Sequence, residues 1–213
     1  MKNMINLIDK YISDYSVEYH EKQTLKDYCV SRIEPSISNS FNRGDIISIK
    51  LRTSVKKIKD SFLEKEKIND LLKVIYTEDK EFTNKRIISQ LYSITPAIFQ
   101  GKEEDFNGKT FNNYVLGDRE NVDVLKSAIL RNAKAKSKLD KSHDFIKKIT
   151  IRNKYPIKIT NLRQKNKFVY LGDKLEIEIK EDAISQRIAQ NLIINGIGKM
   201  CTSGSGFLNY KLK

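Results

Sequence analysis

Tryptophan is absent from this chain of 213 residues, so tyrosine and phenylalanine must supply any surface on which a base could stack. Cysteine is nearly absent. Cys29 and Cys201 lie far apart in sequence with no metal-ligand spacing, and both read as free thiols in a reducing, cytoplasmic setting. There are two histidines, His20 and His143, which narrows acid–base chemistry near neutral pH to two positions. No stretch approaches the roughly 18 apolar residues of a membrane span. The first ten residues are too polar for a signal peptide. No cluster of His, Cys, Asp and Glu has convincing metal spacing, so neither a metal nor another cofactor is expected; Glu103, Glu104 and Asp105 read as solvated surface. No linker or low-complexity tract separates the chain into parts.

What is abundant is positive charge. Forty Lys and Arg against 27 Asp and Glu give a formal net charge of +13. That excess attracts polyanions, nucleic acid before membrane, although a lysine-rich proteome also produces basic surfaces. With 39% hydrophobic residues the chain can bury a core, and its length allows one domain or two small ones.

Helical spacing of Leu7, Ile8, Tyr11, Ile12 and Tyr15 predicts an amphipathic helix from about 4 to 20. Short strands are expected at 28–33 and 46–53, then a helix carrying Val55, Ile58, Phe62 and Leu63. A helical turn is expected around 68–73, with strands at 74–76 and 87–92. A new cycle begins near Leu91, followed by a polar stretch at 101–113. A Lys- and Ala-rich helix is predicted over 122–138, strands within 145–160 and 167–179, and a helix capped by Asp182 that runs to Ile194. The second half fits a βαββαβ unit, and the first half fits the same unit with its first strand missing.

Four of the nine glycines fall in one turn near the C-terminus: Gly196, Gly198, Gly204 and Gly206, between a helix and the strand-like Phe207–Leu212. Glycine permits positive φ and close backbone approach. A loop of exposed N–H groups carrying Lys199 would suit a phosphate backbone. The plainer reading of the same glycines is a helix C-cap running into an edge strand.

This spacing resembles the signature of the repeat-associated mysterious proteins (RAMPs) of CRISPR systems, and within them the CRISPR repeat-processing endoribonucleases. Further blocks are similar, in the family's order: Ile49-Lys50-Leu51-Arg52-Thr53, Leu91-Tyr92-Ser93-Ile94-Thr95-Pro96, Asn153-Lys154-Tyr155-Pro156-Ile157, Leu171-Gly172-Asp173-Lys174-Leu175 and Ser185-Gln186-Arg187-Ile188-Ala189. Together they span roughly residues 20–213. The resemblance implies an α+β chain of two tandem ferredoxin-like (RRM-like) domains, 1–92 and 93–213, the first lacking its first strand. It also implies metal-independent cleavage of CRISPR precursor RNA within its repeats. Expected partners are repeat RNA, CRISPR effector subunits and a second copy of the chain. Two departures stand out: the chain starts almost at the first helix, and Ser205 stands where the family commonly has an aromatic residue.

Metal-free RNA cleavage needs a base for the 2′-hydroxyl and an acid for the departing 5′-oxygen. His20, in Tyr19-His20-Glu21-Lys22, sits where the family places its catalytic histidine; His143 is the reserve. Lys22 or Lys26 would stabilise the phosphorane, and Tyr19 or Tyr28 would orient the nucleotide, unless those tyrosines are core. Arg131, Lys134, Lys136, Lys138 and Lys141 make a basic stretch for an RNA stem, and Arg52 and Lys199 are further phosphate contacts. Two other function classes stay open: an inactive relative that binds RNA or an effector subunit, as a structural subunit or a decoy from a mobile element, and a general RNA-binding protein.

Overall fold

The computed structural model describes residues 28–31, 34, 44–63, 67–69, 72–73, 86–104, 110–115, 122–138, 143–163 and 166–213. The helix expected before Tyr28, and the expectation that no strand precedes it, fall outside the described residues. In the first half, β1 (Tyr28–Val30) pairs antiparallel with β2 (Leu51–Thr53), and α1 (Lys56–Leu63) follows. Tyr28, Val30 and Ile58 form a small core beneath them. The helical turn expected at 68–73 is instead a two-stranded hairpin of β3 (Lys67–Asn69) and β4 (Leu72–Lys73). Six residues fall well short of the length at which helix propagation offsets its costly nucleus.

The second half is built on β5 (Ile88–Ser93), α2 (Asp123–Ser137), β8 (Ile146–Ile151), β11 (Leu175–Ile179), α3 (Ala183–Asn195) and β12 (Leu208–Leu212). The four strands form one antiparallel sheet in the order β12-β5-β11-β8. In chain order that is 4-1-3-2 with a helix after the first and third strands, the ferredoxin-like arrangement. Tyr92 lies inside β5 and pairs with Glu176 and Asn209 of this second sheet. Leu91 and Ile177 share a row and are fully buried with Leu125, Ile129, Ile188 and Leu192 of the two helices. The period-2 alternation of strands therefore leaves Tyr92, Glu176 and Thr150 on the other face.

Two hairpins are inserted into this unit. One joins β6 (Gln100–Glu104) to β7 (Thr110–Tyr114), within the stretch expected to be merely polar. Asn107-Gly108 between them is the sequence signal that points to it. The other joins β9 (Ile157–Arg163) to β10 (Asn166–Gly172). Asn153 closes its base: Nδ2 donates to Asp173 Oδ1 at 2.7 Å and Oδ1 accepts from Lys174 N–H at 2.6 Å. That is why 145–160 and 167–179 each break into two strands.

α3 starts as expected. Asp182 Oδ1 accepts from Ser185 N–H at 2.9 Å. Gln186 then holds the helix to β5, accepting from Ile88 N–H at 2.8 Å and donating to Ile88 O at 2.9 Å. At the far end of the sheet, burial pushes the Asp144 carboxyl up, but hydrogen bonds from Lys126 and Lys180 outweigh it and hold it below the usual carboxylate range. A depressed carboxylate stabilises the fold above its unfolded value, about 3.9, and loses that contribution as pH falls through its folded value. Asp144→Asn should therefore lower Tm at pH 7 and converge with wild type at strongly acid pH. Parallel Tm curves at all pH values would remove the ion pairs from the account. No helix among the described residues is long and apolar enough to cross a membrane.

Candidate nucleic-acid interface

The glycine loop leaves α3 at Gly196 and reaches β12 through a single 3₁₀ turn at Cys201–Ser203. Gly196, Gly198, Gly204 and Gly206 all have positive φ, at 70°, 79°, 89° and 61°. The reason is close backbone approach as much as turning. A Cβ on Gly198 would stand 2.5 Å from Ile98 O, and one on Gly206 1.8 Å from Ile197 O. The loop thus packs against the segment that follows β5.

That packing corrects the expectation of an open N–H cradle for phosphate. Ile197 N–H donates to Gly206 O, Lys199 N–H to Ile98 O, Gly206 N–H to Pro96 O, and Ser203 and Ser205 N–H to Met200 O. Gly198 N–H donates to Asn132 Oδ1 at 2.9 Å and Phe207 N–H to Thr95 Oγ1 at 2.9 Å. With these donors satisfied internally, Gly196, Gly198 and Gly206, all buried, act by letting backbones meet. Ser205, in the place of an aromatic residue, is also buried.

Arg52 is a second correction. Its guanidinium reaches from β2 across to the second half, where Nη1 donates to Leu208 O and, at 3.4 Å, to Ile193 O, and Nη2 to Asn209 Oδ1 at 3.0 Å. It also stacks over Phe207, 4.4 Å from the ring centroid. Burial lowers its pKa from the usual arginine value. Arg52 thus joins the halves and is not free for a phosphate. Arg52→Ala should cost about 3 kcal/mol, from charged hydrogen bonds of roughly 1.5–3 kcal/mol each offset by solvation of the acceptors. Unchanged stability in urea unfolding would contradict this role.

The basic stretch on α2 divides between two faces. Lys136 is buried, and its Nζ donates to Asn195 O at 2.9 Å, Gly196 O at 3.0 Å and Cys201 Sγ at 3.0 Å. Lys136 therefore holds the glycine loop from within instead of meeting RNA. Helical spacing puts Arg131 and Lys134 (i, i+3) together on another face, exposed and half-buried respectively, and exposed Lys138 follows as the left-handed C-cap of the helix. Asn132 ties this helix to Gly198, so exposed Lys199 emerges beside it, with Nζ on Gln100 Oε1 at 2.9 Å. The outer face of α2 thus carries positive charge, with exposed Lys199 beside the helix.

His20, Lys22 and Lys26 lie outside the described residues, as do Tyr19 and Lys141. Tyr28 is core, 1% exposed, which corrects its assignment to orienting a nucleotide. His143 Nε2 stands 3.1 Å from both Ser185 Oγ and Asp182 Oδ1, in the cap of α3. Sequence reading did not single out Tyr155, an aromatic ring at 70% exposure with Lys154 Nζ 5.3 Å from its centroid. The signal for it is its place beside Pro156 in a polar turn, where an aromatic ring has no core to enter.

No protein-family model and no curated protein matches the sequence. Solved structures do match. A CRISPR-associated protein Cas6 aligns with TM-score 0.66 and 13% identity, over 98% of this chain and 90% of that one. A Cas6-related protein from Pyrococcus furiosus gives TM-score 0.63 and 14% identity over 98% and 89%. A RAMP protein described as binding different RNA substrates gives 0.62 and 11% over 98% and 90%. Combined with the 4-1-3-2 sheet and the glycine loop entering its edge strand, these matches establish that the chain has the α+β fold of the Cas6-type RAMP proteins, built of ferredoxin-like units.

Proposed function

We propose that this protein binds CRISPR repeat RNA and cleaves it without a metal ion, with His20 as the acid–base residue. The observation that carries the reading is the cationic outer face of α2 placed beside Lys199 on a RAMP-type fold. Likeness to a RAMP protein that binds RNA supports the ligand class, and the ordered sequence blocks support processing within the repeat. In this reading the transition state is reached by in-line attack of the 2′-oxygen on the adjacent phosphorus. His20 moves the proton, while Lys22 and Lys26 balance the developing charge. The product would serve as guide RNA or pass to an effector complex.

One observation favours a second reading, an RNA- or effector-binding subunit that does not cut. Arg52 and most loop amides are already occupied within the protein, and Tyr28 is buried, so fewer groups remain for chemistry than the sequence offers.

Binding is tested by a salt titration with repeat RNA. Replacing Arg131, Lys134 and Lys138 together by alanine should weaken binding and reduce the slope of log K against log salt by up to about 0.9 per lost contact. Unchanged affinity and slope would remove this face from the interface. Lys136→Ala is expected to act differently, by loosening the glycine loop and lowering stability.

A further inference from the structure

The two cysteines, remote in sequence, meet in the fold. Cys29 of β1, Cys201 of the 3₁₀ turn and Phe207 form one buried cluster, with Ile94 against it. Cys29 Sγ contacts Ile193 O at 3.8 Å, and Cys201 Sγ contacts Ile197 O at 3.4 Å, so both thiols sit against the end of α3. Both are free. They are not equivalent. Cys201 receives a hydrogen bond from the buried Lys136 Nζ at 3.0 Å, whereas Cys29 only shares its acceptor, Ile193 O, with the Arg52 guanidinium. The ammonium can balance negative charge that builds on the Cys201 sulfur as it reacts.

We propose that Cys29 and Cys201 are a modification site: a peroxide-reactive thiol and its resolving partner, which close a reversible disulfide between the first and second halves of the chain. Cys201 sulfur attacks one peroxide oxygen, the O–O bond breaks, and Cys201 sulfenic acid and one water form. Cys29 sulfur then attacks the Cys201 sulfur, the S–O bond breaks, and the hydroxide leaves with the Cys29 proton as a second water. Two thiols lose two electrons, and one hydrogen peroxide is reduced to two waters. Burial first, then the charge of Cys201, pushes Cys29 up to about 12, so Cys29 keeps its proton until it is called on as the resolving thiol. The bond would tie β1 to the glycine loop, beside the Arg52 contacts that already join the halves.

The test uses the full chain, reduced and then exposed to hydrogen peroxide, with mass spectrometry after alkylation under denaturing, non-reducing conditions. The expected result is loss of both alkylatable thiols within one chain and a peptide linking Cys29 to Cys201. Dithiothreitol should restore both. In Cys29→Ser, dimedone should capture a sulfenic acid on Cys201; in Cys201→Ser, Cys29 should show none. Retention of both thiols, disulfides between chains, or equal dimedone labelling of Cys29 would each overturn the proposal.

Discussion

Gly206→Ala is expected to unfold the second half or come close to it. The new Cβ would stand 1.8 Å from the carbonyl oxygen of Ile197, far inside van der Waals contact. The obstacle is backbone, and the two residues are also joined by the Ile197 N–H to Gly206 O bond at 2.8 Å. Relief requires the loop to separate from itself, which also breaks the Gly206 N–H bond to Pro96 O. The φ of 61° adds the left-handed cost of roughly 1–2 kcal/mol. A loss of at least about 4 kcal/mol follows, in the range reached only by steric or buried-polar lesions. Gly44→Ala is the control. Gly44 also has positive φ, 99°, but a Cβ there would meet nothing within 4 Å, so it should lose only the conformational part. Equal shifts of the urea midpoint for the two variants would show that close approach is not what the loop requires.

This loop marks the boundary of what the sequence reveals. The glycines, their spacing and their place between helix and strand were all legible, because φ preference is a property of the residue itself. The partner of the backbone was not. Whether an N–H faces a phosphate or Ile98 O depends on a segment about a hundred residues earlier. Lys136 teaches the same lesson. Its neighbours in sequence suggested a continuous basic helix face, yet the 3.6-residue period turns it away from Lys134 and Lys138 and toward the loop. Arg52 looked like a phosphate ligand because a cation on a strand has no visible partner in one dimension. The α2 and α3 helices and the four main strands were legible through their periodicity and the Asp182 cap. The hairpins were harder, since Gln100–Glu104 and Thr110–Tyr114 have no apolar alternation to read.

Catalysis carries the other large effect. His20→Ala should slow cleavage of repeat RNA by about 10²–10⁴-fold, the usual contribution of a general acid–base residue. Affinity for the RNA should stay close to wild type, because in the proposed reading binding rests on phosphate contacts distributed over the α2 face and Lys199. That separation of rate from affinity distinguishes a proton-handling residue from one that positions the stem. A variant that keeps full activity would move the role to another residue. His143 is a poor substitute, since its Nε2 already lies against Ser185 and Asp182 in the α3 cap. A variant that loses affinity and rate together would make His20 a binding residue.

The central claim, metal-free processing of repeat RNA, is tested most directly by incubating the wild-type full-length chain with its cognate repeat RNA in excess chelator and analysing the product ends. The account predicts a single cut within the repeat and a 2′,3′-cyclic phosphate, or its opened form, on the upstream product. An intact RNA bound in a salt-sensitive complex would contradict cleavage and leave the non-cutting RNA-binding subunit as the function of this fold.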